Sequence, residues 1–157
     1  MCQGCFNAVV QNSDAMALTA ALLAAAGGLT QRIHEGVVAR GFEGVRPAHG
    51  FAFVRLAPDG ATVTDLAVHL GMTKQAASQL VDELVRKGFA ERRPHPADAR
   101  ARLVVMTEAG WACTRAAEAA AAEAVGAWAE VLGEDGVRAL ADSLLRVAPG
   151  GPIRPVW

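Results

Sequence analysis

The chain has 157 residues, 52% of them hydrophobic, and a formal charge of −1, which suits a single domain (1–157) with a sizeable core and excludes a partner chosen by net charge alone. Thirteen arginines against two lysines read as a coding bias rather than as a nucleic-acid signature, because sixteen acidic residues balance them. Cys2, Cys5 and Cys113 are too few, and odd in number, for a disulfide framework.

In chain order, residues 1–12 read as a polar lead-in. Ser13 or Asp14 then caps a helix reaching about Arg40. Leu18, Leu22, Leu29, Ile33 and Val37 form its apolar stripe, and Gly27-Gly28 is a weak point where it can bend. The apolar run Ala15–Leu29, interrupted by Thr19, is short for a membrane span, and no basic residue precedes Arg32 to mark a signal peptide. The expectation is a soluble, cytoplasmic protein with no membrane partner. After Gly41 and Gly44, a second helix is expected over Ala48–Leu56, stopped by Pro58-Asp59-Gly60. Thr62 and Asp65 have the spacing of a capping box for a third helix, closed by Gly71. Thr73 caps a fourth, running to about Lys87 before Gly88, with Ala77, Leu80, Val81, Leu84 and Val85 facing inward. Phe89–His95 is expected as a strand, Pro94–Asp98 as a turn and Leu103–Met106 as the return strand. Thr107 caps a fifth helix to about Leu132 carrying Trp111, Val125, Trp128 and Leu132. Gly133 breaks it, and Val137, Leu140, Leu144 and Val147 line a last helix.

The third and fourth helices, joined through Gly71, read as a helix-turn-helix. The start of the second of these is rich in short or hydrogen-bonding side chains, as close approach to base edges requires. Thr73, Lys74, Gln75, Ser78, Gln79 and Arg86 are the candidate contacts on that helix, with Arg86 suited to phosphate. The hairpin that follows supplies Arg93, His95, Asp98 and Arg100, along with Arg92 and Arg102. Arg100 suits a narrow minor groove, with Asp98 as the acceptor that holds its guanidinium. Between Met72 and Arg102, seven basic residues meet four acidic ones, a local charge of 7 − 4 = +3 on a mildly acidic chain.

The stretch LAVHLGMTKQAASQLVDELVRKGFAERRPHPADARARLVVMTEAG resembles the core of the MarR family of winged helix-turn-helix regulators. The resemblance rests on LAxxLG at Leu66–Gly71, LVDxLxxKGxxER at Leu80–Arg92, DxR at Asp98–Arg100 and the run Met106–Gly110. Ala99 stands where many members of that family carry another wing arginine. The resemblance implies a mainly α fold with a small β-hairpin wing (α+β). It also implies an all-helical dimerisation region (13–46 and 108–148) and a DNA-binding region (47–107). The implied function is that of a bacterial, ligand-responsive repressor, a homodimer on a pseudo-palindromic double-stranded operator. A small organic effector would sit in a cleft beneath the dimer helices, with Ile33, His34, Val37, His49, Phe53, Trp111 and Arg115 as candidate lining.

Two other readings use the remaining residues. Cys2 and Cys5 form a lone CxxC, short of the four ligands of a structural zinc site but compatible with a thiol- or metal-responsive regulator. A winged helix can also serve as a protein-interaction module without DNA binding. No phosphate loop, HExxH or nucleophile elbow is present, so neither an enzyme, a cofactor nor a metal is expected.

Overall fold

Three threonines open three helices, each by accepting a backbone N–H with its hydroxyl. Thr62 accepts from Asp65, Thr73 from Ala76 and Thr107 from Gly110, each at 3.2 Å. The computed structural model describes residues 3–148, without the side chains of 3–13 and 98–100. The elements are α1 (Gln3–Ala39), α2 (Pro47–Leu56), α3 (Val63–Leu70), α4 (Lys74–Arg86), β1 (Ala90–His95), β2 (Asp98–Met106) and α5 (Glu108–Val147). The architecture is mainly α with one antiparallel hairpin, a winged helix-turn-helix carried on two long helices.

Several boundaries differ from the sequence expectation. α1 begins at Gln3 rather than at Ser13, because no proline interrupts the preceding residues, and it passes through Gly27-Gly28 without a break. Its Asp14–Ala39 stretch is long and apolar enough by length and composition to cross a membrane, further than the Ala15–Leu29 run suggests. β2 starts at Asp98, so the turn shrinks to Pro96-Ala97, and Pro94 pairs with Arg102. The arginine-rich start of β2 lacks the apolar alternation that marks a strand. Gly133 breaks the last helix as its residue type suggests, with φ 71° and ψ 161° inside α5.

The core lies where α2, α3, α4 and the hairpin meet. Leu56, Leu66, Val81, Leu84 and Val104 are fully buried, and Phe53 meets Phe89 edge-on at 6.0 Å. A short third edge completes the sheet. Ala61 exchanges both backbone hydrogen bonds with Val104, at 3.0 and 2.8 Å. Gly60 makes this approach possible, since a Cβ there would lie 2.6 Å from the Val104 carbonyl oxygen.

α1 and α5 pack through small residues. Ala116, Ala120 and Ala124 are buried on α5, and a Cβ on Gly36 would come within 2.5 Å of Ala120 Cβ. Gly110 does similar work at the other end of the domain: the first turn of α5 sits so close to the Phe89 carbonyl that a Cβ would overlap it. Gly110→Ala therefore overpacks this junction and is expected to cost about 1–3 kcal/mol. Thermal unfolding is the check, and a melting temperature equal to the parent's contradicts the contact.

Candidate nucleic-acid interface and apolar cleft

The turn between α3 and α4 is made by Gly71 in the left-handed region (φ 65°, ψ 32°), with the Met72 N–H returning to the Ala67 carbonyl at 3.0 Å. Ala77, Leu80, Val81 and Leu84 then bury one face of α4. Its opposite face leaves Lys74, Gln75, Gln79, Asp82 and Arg86 exposed and Ser78 half-buried. Thr73 sits at the N-cap, exposed, so the helix presents its first turn outward with amides and a hydroxyl at the surface.

The hairpin stands beside this face. Arg92 donates to Asp82 of α4 at 2.6 Å, which ties the hairpin to the outer face of the helix. Arg93 is held by Glu91 on its own strand, its Nε donating at 2.8 Å. His95 closes the turn by accepting the Ala97 N–H at Nδ1, 3.2 Å away. Asp98 and Arg100 lie on β2 by their backbone, and the contact expected between their side chains falls outside the described residues. Three of the four acidic residues in the basic segment are thus engaged by cations, while Lys74, Arg86 and Arg102 stand exposed.

Lys87 faces the other way. Its ammonium donates to the Gly44 carbonyl and lies 2.8 Å from Glu83. Glu83 also accepts from Arg46, and its Oε1 is 3.5 Å from Nε2 of His49. His49 is completely buried, and its Nδ1 accepts the Arg46 backbone N–H at 3.0 Å. The hydrogen bond from Lys87 holds the Glu83 carboxyl at about 2, with His49 and Arg46 adding to the effect. Burial pushes the His49 imidazole below its ordinary value. Sequence reasoning missed this cluster. The i,i+4 spacing of Glu83 and Lys87 was legible, but the approach of α2 to α4 was not.

An apolar cleft of about 510 Å³ opens between α1, α2 and α5, within the roughly 300–1,000 Å³ range of small-molecule sites. Ile33, His34, Val37 and Phe53 line it, together with Arg46, Phe51 and Ala117. His49, Trp111 and Arg115, also expected there, are not on its wall. His49 is turned toward Glu83, Trp111 packs against the core, and Arg115 reaches back to Glu108 at 2.6 Å. Cys113 is on the wall, but burial pushes its thiol up to about 11, so it stays protonated. Cys2 and the Cys5 side chain lie outside the described residues. Among the described residues, no three His, Cys, Asp or Glu side chains gather as a metal site would need.

The sequence model of the MarR family matches residues 51–101, the segment from α2 to the wing. A crystal structure of a MarR family transcription regulator superposes with a TM-score of 0.71 at 24% identity, covering 93% of each chain. The chain has the fold of the MarR family of transcription regulators. MarR from E. coli, in its apo form, gives a TM-score of 0.69 at 23% identity over 84% of this chain and 97% of that one. A MepR mutant from S. aureus, bound to an oligodeoxyribonucleotide, gives 0.59 at 19% identity over 83% and 95%. Among curated protein sequences, none matches the chain.

In this MarR fold, the Glu83 cluster makes stability acid-sensitive in two stages. The unfolded chain takes up a proton at His49 that the folded chain resists, so stability is full above pH 6.5 and declines as pH falls through the lowered imidazole value. A second loss follows as pH falls from 4.5 toward about 2, where Glu83 is protonated. His49→Asn keeps an acceptor for the Arg46 N–H, removes the first stage and leaves the second to Lys87 and Arg46. Melting temperatures across pH 7.5–3 measure this, and an unchanged first stage in the variant refutes the role given to His49.

Proposed function

We propose that the chain is a sequence-specific double-stranded DNA-binding transcription regulator, a homodimeric bacterial repressor of the cytoplasm that responds to a small organic effector. The observation that carries this reading is the pairing of the outward face of α4 with the hairpin. Gln75, Ser78 and Gln79 stand where base edges would be read, with Thr73, Lys74 and Arg86 flanking them. Such a helix fits the major groove, and its N-terminus favours phosphate. Arg93, His95, Asp98 and Arg100 belong to the wing beside it, and Arg100 suits a narrow minor groove.

Residues 13–46 and 108–148 supply the dimerisation region, and 47–107 the DNA-binding region. The support for a dimer is apolar surface left uncovered: Leu18, Leu22 and Leu23 of α1, and Leu132, Leu144 and Leu145 of α5, are all exposed. Two recognition helices related by a two-fold axis read a pseudo-palindrome whose half-sites lie about 34–36 Å apart. The cleft lined by Ile33, His34, Val37 and Phe53 is the effector site. An occupant that favours a different helix spacing lowers DNA affinity by its differential affinity for the two states.

Fluorescence anisotropy with DNA from upstream of the chain's own gene, and scrambled DNA as control, tests this. Selective binding is expected to weaken on Gln75→Ala and Arg100→Ala. It should also fall about 10³–10⁵-fold between 50 and 200 mM salt if the dimer contacts 6–10 phosphates. Binding that ignores sequence throughout genomic fragments, with both variants behaving like the parent, refutes the reading.

A further inference from the structure

An acidic residue stands on the face of α4 that meets a polyanion in the reading above. Gln75, Gln79, Asp82 and Arg86 share one exposed stripe at helical spacing. Asp82 lies four residues before Arg86, the favourable order for an ion pair on one helix, yet its carboxylate takes Arg92 of β1 at 2.6 Å instead. The side chains of Asp82 and Arg92 are 59% and 34% exposed, so their contact adds little to stability.

What the pair does is join two elements. Ala90, Val104 and Met106 root the hairpin in the core, whereas Arg92, Arg93 and Pro94 are exposed. Among the described residues, the bond from Arg92 to Asp82 is the one side-chain hydrogen bond between α4 and the hairpin. A second acidic pair, Glu91 with Arg93, stays within β1. Each pair cancels the charge of one arginine, but only the first fixes where the hairpin stands relative to α4.

We propose that Asp82 determines sequence selectivity without touching a base: it holds Arg92 off the phosphates and sets the hairpin at one spacing from α4. This rests on the DNA-binding reading above. A helix and a wing locked together seat at once only on DNA whose grooves match their spacing, and groove width follows sequence. An untied wing adapts to any groove, and a freed Arg92 adds an attraction that every sequence supplies equally. The carboxylate of Asp82 thus lowers affinity for wrong sites more than for the right one, which is what selectivity consists of.

The test is fluorescence anisotropy of the full chain with two probes, the genomic fragment that the parent binds best and the same fragment scrambled. Asp82→Asn is expected to bind scrambled DNA more tightly, with a logarithmic salt slope steeper by about 0.9 for one added phosphate contact. Its preference for the genomic fragment falls roughly fivefold, the scale of one exposed ion pair. Arg92→Gln loses preference to a similar extent while binding scrambled DNA more weakly, because the tie is lost but the carboxylate remains. Glu91→Gln removes the same charge as Asp82→Asn and frees Arg93, so it tightens both probes and keeps the preference. A gain on scrambled DNA cannot come from a variant that fails to fold. Three results overturn the proposal: an Asp82→Asn variant as selective as the parent, a Glu91→Gln variant that loses as much selectivity, or an Arg92→Gln variant that keeps it. The last is the result for a carboxylate that itself reads a cytosine amino group. A parent that prefers no genomic fragment overturns the regulator reading and this inference with it, whereas a selective parent matched by Asp82→Asn overturns this inference alone.

Discussion

The placement of α5 against the wing depends on one small junction. The Thr107 hydroxyl accepts the Gly110 N–H and donates to the Gly88 carbonyl at 2.6 Å, while the Thr107 N–H reaches the Phe89 carbonyl at 3.1 Å. Gly110, lacking a Cβ, lets the first turn of α5 rest on that same carbonyl. The end of α4, the start of the wing and the start of the longest helix are thereby locked within a few residues. The direction in which α5 leaves the winged unit, and so the orientation of the α4 face relative to the long helices, follows from this junction.

Burial is divided unevenly along the long helices. On α1 the stripe Leu18, Leu22, Leu29, Ile33, Val37 passes from exposed through half-buried to buried as it nears the winged core. α5 shows the inverse, with Cys113, Ala116, Ala120 and Ala124 buried and Leu132, Leu144 and Leu145 exposed beyond them. The covered parts hold the two helices together through alanine and glycine, which allow close approach. The uncovered parts carry leucine, which gains most from a partner surface. On the proposed reading a second copy supplies that surface, and the cleft beneath it connects through Arg46 and Glu83 to α4.

Much of this was legible where local chemistry decides structure. The threonine caps, the Gly71 turn, the inward face Ala77–Leu80–Val81–Leu84 and the break at Gly133 each follow from residue type and spacing alone. What escaped were features made by residues distant in sequence. The third strand edge at Ala61 needs the wing to fold back on Gly60. The cluster of Arg46, His49, Glu83 and Lys87 needs α2 to approach α4, which also removes His49 from the cleft where helix position suggested it. Arg115 is a local exception: Glu108 stands seven residues before it on the same face of α5, a spacing that turns its guanidinium from the cleft. The start of β2 was hidden by its arginines, and the start of α1 by a residue that can cap a helix but here lies inside one.

The account turns on whether two chains join through α1 and α5. Sedimentation equilibrium at micromolar concentration, with the parent and a Leu22→Asp/Leu145→Asp variant, measures this directly. The account predicts a species of twice the 16.3 kDa chain mass for the parent. It predicts a shift toward the single-chain mass in the variant, with the far-ultraviolet helical signal retained. A parent that sediments as a single chain at these concentrations, and on DNA as one chain per site, contradicts it.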